Sequence, residues 1–177
     1  MKKFLWSIVV MVLLFFVAPI PTVSAAEGDT TWQENYEYNI DQNAGTIKLY
    51  RLNSDVSGNI VVPAYAVKDG VRYDTYVSMS VFWGSGVQSI SFEKGVKACS
   101  DISHLFYLCK AKTIDLSGLD TSCVTNMNEM FWKCQAQSLD LSGFDTSNVT
   151  NMSAMFSGCS SLTSLDVSRF NTSNVTN

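Results

Sequence analysis

The chain has 177 residues, with 12 Lys and Arg against 16 Asp and Glu, a formal charge of −4, five cysteines and one histidine. Lys2 and Lys3 are the only cations before residue 26, so the remainder carries 10 cations against 16 anions, a formal charge of −6. That balance argues against nucleic acid as a partner, which would need clustered Lys and Arg; the remaining length is one domain's worth and enough to bury a core.

Residues 1–25 have a two-lysine head, an apolar run over 4–18, Pro19 and Pro21, and then small residues. This is the layout of a secretory signal peptide, with Val23 and Ala25 placed for cleavage before Ala26 and Ala26 itself suited to be the last leader residue. A membrane anchor is the competing reading, but a run of about 15 residues falls short of the roughly 20 that a spanning helix needs. No later apolar run approaches a span, and no wall-sorting signal precedes Asn177. The expectation is an exported protein, extracellular or at the cell surface, with no visible anchor.

Residues 26–89 alternate β-forming and polar residues in four runs, 36–40, 46–50, 59–62 and 73–77, separated by Asn-Ala-Gly, Ser-Gly and Asp-Gly. These read as short strands between turns. A solenoid needs a cap to keep water off its first apolar face, so the segment is expected to be an N-terminal β cap. A small independent binding module is the alternative.

The rest of the chain repeats. Residues 114–138 and 139–163 align without a gap and are identical at 14 of 25 positions. A third copy begins at Leu165 and matches the second at 10 of 13 positions, and a degenerate copy begins at Ile90, with Phe106 and Cys109 standing 25 residues before Phe131 and Cys134. The expected units are 90–113, 114–138, 139–164 and an incomplete 165–177, about 3.5 repeats. In each, a triplet such as Leu139-Asp140-Leu141 has strand alternation, Asp145-Thr146-Ser147 is turn and capping chemistry, and Val149, Met152, Met155, Phe156 and Cys159 fit one buried face leading into a short helix. The expected fold is therefore an α/β repeat solenoid, one parallel strand and one short helix per repeat, behind a β-rich cap.

The signature LDLSxFDTSNVTNMxxMFxxC, clearest over 139–159, resembles the 25-residue repeat of BspA-like bacterial surface proteins, relatives of the leucine-rich-repeat solenoids. The resemblance covers 90–177. It implies an extracellular, often wall-attached protein built for binding or adhesion, and carries over no catalytic residue and no cofactor.

The individual residues agree with a non-catalytic reading. His104 is the only histidine and reads as an exposed helix residue rather than a general base. The columns Asp115, Asp140, Asp166 and Asp120, Asp145 recur without the glycine-rich pattern of calcium-binding repeats, which favours turn and cap roles, and no cysteine–histidine cluster offers a metal site. The column Asn126, Asn151, Asn177 is expected to satisfy backbone groups at a turn. Asn148, Asn151, Asn171 and Asn174 match Asn-x-Ser/Thr but recur with the repeat, so they read as by-products of it. Helices 8 to 10 Å apart, roughly, would keep Cys109, Cys134 and Cys159 reduced, whereas Cys99 and Cys123, each the tenth residue of its copy, are in reach of a disulfide if they lie on adjacent strands.

Recognition then falls to the columns that vary. Tyr107, Trp132 and Ser157 share one, and Leu108, Lys133 and Gly158 the next, so Tyr107, Trp132 and Lys133 are the candidate contact residues for an extracellular protein or glycan. The bland reading is that these rings cover the junction with the cap. Adhesion to a host or neighbouring cell surface is the leading function; the alternative is the N-terminal piece of a longer wall-anchored protein whose repeats form a stalk.

Overall fold

The computed structural model describes residues 32–177, so the expected signal peptide lies outside the described residues. A four-residue helix, α1 (Trp32–Asn35), leads into ten short strands, and among the described residues no helix is long and apolar enough to cross a membrane. β1 (Tyr36–Asp41) and β2 (Thr46–Leu52) form an antiparallel hairpin that buries Tyr36, Ile47, Leu49 and Leu52. Its turn is held by Asp41 Oδ1, which accepts the N–H groups of Asn43 and Ala44 at 3.0 Å. Glu37 pairs with Arg51 and Tyr38 with Leu49, leaving Tyr50 as the extra residue of a β-bulge. After β3 (Asn59–Val62) comes β4 (Tyr65–Lys68), which the sequence reading does not place. It pairs antiparallel with β5 (Val71–Val77) through Asp69 and Gly70, both left-handed at φ 52° and 78°, as a type I′ turn requires.

From there the pairing is parallel. β6 (Ser89–Phe92), β8 (Thr113–Asp115) and β10 (Ser138–Leu139) stack on β3, aligning Ile60, Ile90, Ile114 and Leu139. β7 (Val96–Ala98) and β9 (Leu119–Asp120) stack on β5, which in turn lies beside β2, and a third ladder joins Asp101, Asn126 and Asn151. The molecule is a β-solenoid of about four turns. Stacking runs unbroken across residue 89, so β3 and β5, within the segment assigned to the cap, already form the first turn. The β1–β2 hairpin extends the second sheet from its N-terminal side.

The helix expected in each repeat is absent, which makes this a β-solenoid rather than an α/β one. Residues 102–109, 127–134 and 152–159 run instead as consecutive turns. Leu105, Tyr107 and Cys109 donate their N–H groups to carbonyls three residues back, whereas His104, Phe106 and Leu108 donate theirs to Asn128, Met130 and Trp132 of the next turn at 2.8 to 3.0 Å. An α-helix would need all of these donors for carbonyls four residues back. The backbone excludes a helix as well: His104 and Leu108, Glu129 and Lys133, and Ala154 and Gly158 are left-handed, with φ between 50° and 74°. Ser80 and Gly84 repeat the device one turn earlier, at 63° and 64°. Val124, Met127, Met130, Phe131 and Cys134 are all buried, so the apolar face is real. A left-handed residue every four positions simply gives a period close to the helical 3.6, which apolar spacing alone does not resolve.

Removing the helices draws the turns together. Phe82, Phe106, Phe131 and Phe156 stack with centroids 5.4, 5.2 and 5.5 Å apart and planes within 10°. The cysteine column is correspondingly at strand spacing, about 4.8 Å, and not at the helix spacing on which its separation was reasoned. Cys109 and Cys134 hydrogen-bond to each other, Ser85 Oγ lies 3.3 Å from Cys109 Sγ, and Cys159 Sγ donates to the Phe131 carbonyl at 2.9 Å. All five cysteines are free thiols. The bond to Cys109, with burial, pushes the Cys134 thiol up and keeps it protonated.

Polar columns hold the turns. Asp101, Asn126 and Asn151 each accept the N–H two residues on through Oδ1, at 2.8 to 3.1 Å, and Asp115, Asp120, Asp140, Asp145 and Asp166 do the same for the serine two residues on, at 2.9 to 3.0 Å. Buried Thr121 and Thr146 link successive turns reciprocally: Thr121 Oγ1 donates to the Asp145 carbonyl and accepts its N–H, and Thr146 does likewise with Asn171. Beyond Met155 no residue is buried, and Met152, Phe156, Leu165, Val167 and Phe170 line an open apolar hollow of about 520 Å³.

Three expectations follow from this packing. A Cβ on Gly118 would meet the Phe92 carbonyl carbon at 2.7 Å, whereas one on Gly143 would meet nothing within 4 Å and the third copy carries Arg169 at this position. Gly118→Ala should therefore lower stability in chemical denaturation by about 1–3 kcal/mol while Gly143→Ala changes it little; equal effects would contradict the close approach. Phe131→Ala, which opens the ring stack at its centre, should cost about 3–5 kcal/mol. Hydrogen bonds from the following serines hold Asp120, Asp140, Asp145 and Asp166 below the usual carboxylate range. Their contribution is present above the unfolded value near 4, roughly, and is lost as pH falls through the lower folded values. The melting temperature should hold from neutrality to about pH 5 and drop below about pH 4. Asp145→Asn, which imitates Asn171 and its bond to Ser173 N–H at 3.0 Å, should keep the turn and lessen that drop.

Candidate functional site

Each Phe of the buried stack is followed by a residue on the outside of the same turn. After Phe82, Phe106, Phe131 and Phe156 come Trp83, Tyr107, Trp132 and Ser157. Inter-turn bonds from Gly84 N–H to the Tyr107 carbonyl and from Leu108 N–H to the Trp132 carbonyl, both 2.8 Å, hold these positions in register. Three aromatic rings thus lie in one strip along the solenoid axis, ending at Ser157.

Tyr107 and Trp132, the two expected rings, stack face to face at 4.6 Å with planes 11° apart. Their faces cover one another, so what they offer outward is edges, the indole N–H and the phenol. Lys133, the third expected residue, sits over the Trp132 ring at 4.0 Å. Its stem also packs on the next turn, where a Cβ at Gly158 would meet Lys133 Cγ at 2.7 Å.

Trp83 was not among the expected residues because it lies in the segment read as a cap. It is 59% exposed and meets Tyr107 edge-on at 5.3 Å. The signal was available: Phe82-Trp83 precedes Phe106-Tyr107 by 24 residues, nearly the repeat length. His104, read as an exposed helix residue, is half-buried at a left-handed position. Its ring lies 5.3 Å from Tyr107 and 6.4 Å from Trp83, with Nε2 3.4 Å from the Glu129 carboxylate on the next turn. The strip therefore joins the first three turns, so the side chains expected to make contact also span the junction with the segment read as a cap.

No disulfide joins Cys99 to Cys123. Lys97 pairs with Asp120 and Asp101 with Asn126, so the register shifts by two residues across the stretch that holds Cys99 and Cys123. Cys99 is half-buried, its thiol raised mainly by burial and hydrogen-bonded to Lys48, while Cys123 is exposed. Among the described residues no three His, Cys, Asp or Glu side chains group as metal ligands. The arrangement as a whole is an outward strip of stacked and edge-on rings with a lysine, in which Trp83 is the most exposed.

The family model described as "Mycoplasma protein of unknown function, DUF285" matches residues 100–177, the part of the chain that carries the 25-residue copies. No curated protein and no solved structure gives a significant match. The chain's C-terminal repeats are thus similar to that family, on a fold that is a repeat solenoid.

Proposed function

We propose that this is an exported, non-catalytic contact protein of the BspA-like kind, adhering to molecules on a host or neighbouring cell through the strip formed by Trp83, Tyr107, Trp132 and Lys133. The observation that carries the reading is the outward column itself. Three successive turns place an aromatic residue where the fourth places Ser157, and the rings are in contact along the axis. Columns that serve the fold keep their residue type from turn to turn, as the Phe stack does, whereas this column changes at the surface. Large aromatic side chains with a neighbouring cation are the usual anchors of a protein contact. The leader-like N-terminus supports export, and the acidic balance supports a partner other than nucleic acid.

The face-to-face stacking of Tyr107 on Trp132 favours a second reading, in which the rings stiffen the turns and the repeats serve as a stalk in a longer wall-anchored protein. Substituting Trp132 by Ala separates the two. On the adhesive reading, binding to a panel of immobilised matrix proteins and cell-surface glycans falls at least about tenfold, the scale of a hot-spot residue, while the melting temperature moves by only a few degrees. Unchanged binding by a folded variant would remove the strip as the contact surface and leave the stalk.

A further inference from the structure

The β-bulge in the first hairpin has no role in the stacking. It makes Tyr50 the extra residue of β2, and as a result Tyr50 and Arg51, adjacent in sequence, are both exposed where strict alternation would bury one of them. Bulges re-aim side chains in this way and are frequent beside binding sites. Immediately after the bulge, Leu52 N–H donates to the Val81 carbonyl at 2.8 Å, which brings the end of β2 against the turn that carries Trp83.

Tyr50, Arg51, Ser80, Trp83 and Gly84 line a hollow of about 530 Å³. A smaller hollow of about 190 Å³ shares Arg51, Trp83 and Gly84 with it and is also lined by Asn53, Ser54 and Ser85. Two rings, 41% and 59% exposed, therefore share the lining of one hollow with Arg51. Glu37 lies opposite Arg51 in the strand register, yet among the described residues Arg51 forms no ion pair. In an acidic chain this leaves an unpaired guanidinium in the lining of the hollow, while Lys48 Nζ stands 5.5 Å from the Tyr50 ring centroid.

We propose that this hollow binds a carboxylate-bearing sugar, the terminal or repeating unit of an acidic glycan. The proposal rests on the contact-protein reading and names the ligand class for its N-terminal end. The apolar C–H face of a pyranose stacks on an exposed indole, and Trp83, met edge-on by Tyr107 and stacked on by His104 at 6.4 Å yet 59% exposed, offers one. The sugar carboxylate takes a bidentate, charge-assisted bond from Arg51. The next sugar unit reaches the Ser54 hydroxyl and the Asn53 amide oxygen in the adjoining hollow. A peptide fits less well. Over Thr46–Leu49 β2 is paired on both edges, by β1 and β5, so no strand can be added along that stretch.

The test is calorimetric titration of the whole chain with sialyllactose, with a tetrasaccharide containing hexuronic acid, with their carboxyl-reduced forms, with lactose and with an Asp/Glu-rich peptide. The expected result is that at least one acidic sugar binds at least about tenfold more tightly than its reduced form, and more weakly as salt rises. Arg51→Gln should abolish the preference for the carboxylate. Trp83→Ala should weaken acidic and reduced sugars alike, and Arg169→Gln, which removes an exposed cation from the last copy, should leave sugar binding unchanged, each variant retaining the wild-type far-ultraviolet spectrum. Equal binding of acidic and reduced sugars, no sugar binding, or binding of the peptide alone would overturn the proposal. If sugars fail while Trp132→Ala still weakens adhesion to the surface panel, this proposal falls and the contact function stands; if the chain binds neither, both fall.

Discussion

Alternate backbone N–H groups in each turn of the chain are donated to carbonyls of the turn that follows, and this pattern fixes the separation between turns at strand spacing, about 4.8 Å. A helix cannot coexist with it. Packed helices stand roughly 8 to 10 Å apart and keep their N–H groups to themselves. Left-handed residues at every fourth position release the alternate donors, and most of them here are ordinary residues such as His104, Glu129 and Ala154 rather than glycine. The strain of holding them is accepted because each frees N–H groups to join two turns, and because the same close approach stacks the Phe rings at 5.2 to 5.5 Å. Cooperation between neighbouring turns replaces the self-sufficiency of a domain built from long elements.

Much of this was legible in the sequence, and what was not has identifiable causes. The 25-residue period, the strand at Ile114 and its copy at Leu139, and the buried identity of Val124, Met127, Met130 and Phe131 follow from repetition and apolar spacing. The helix did not follow, because turns with a left-handed residue every four positions imitate helical periodicity, and only backbone conformation tells them apart. The error then propagated to the cysteines, whose separation was reasoned from helix spacing. β4 was obscured by Pro63 and by the shortness of Tyr65–Lys68, although Asp69-Gly70 marked the turn that follows it. The first turn was hidden for a related reason: β4 and its hairpin lengthen the step from Ile60 to Ile90 to 30 residues, which breaks the period without breaking the register. Of the surface strip, Tyr107, Trp132 and Lys133 were visible as variable columns, while Trp83 was lost behind that lengthened turn.

Repetition also explains why polar residues that look chemically capable are committed elsewhere. Asp120 and Asp145 each accept a serine N–H and Thr121 joins two turns, and such bonds recur with the period because every turn needs them. A carboxylate whose oxygen is already bonded to the backbone is a structural part, however suggestive its column appears. The aromatic strip has the opposite character. Phe106 and Phe131 are interchangeable neighbours in the core, but Trp83, Tyr107, Trp132 and Ser157 differ, and nothing in the stacking requires them to.

Departures from the repeat are accordingly where function is best sought, and they concentrate at the N-terminal end. The bulge at Tyr50, the inserted hairpin of β4 and β5, and the exposed indole of Trp83 all lie within the first turn or the hairpin beside it. There the chain is free of the register that binds later turns, because among the described residues β1 has a neighbour on one side only and β2 need match only β5 beyond it. A bulge inserted into β8 or β10 would shift every turn stacked on it, whereas one at Tyr50 disturbs a single strand pair. The first turn can therefore vary its surface at the least cost to the stack, and the outward pairing of Tyr50 with Arg51 beside Trp83 uses that freedom.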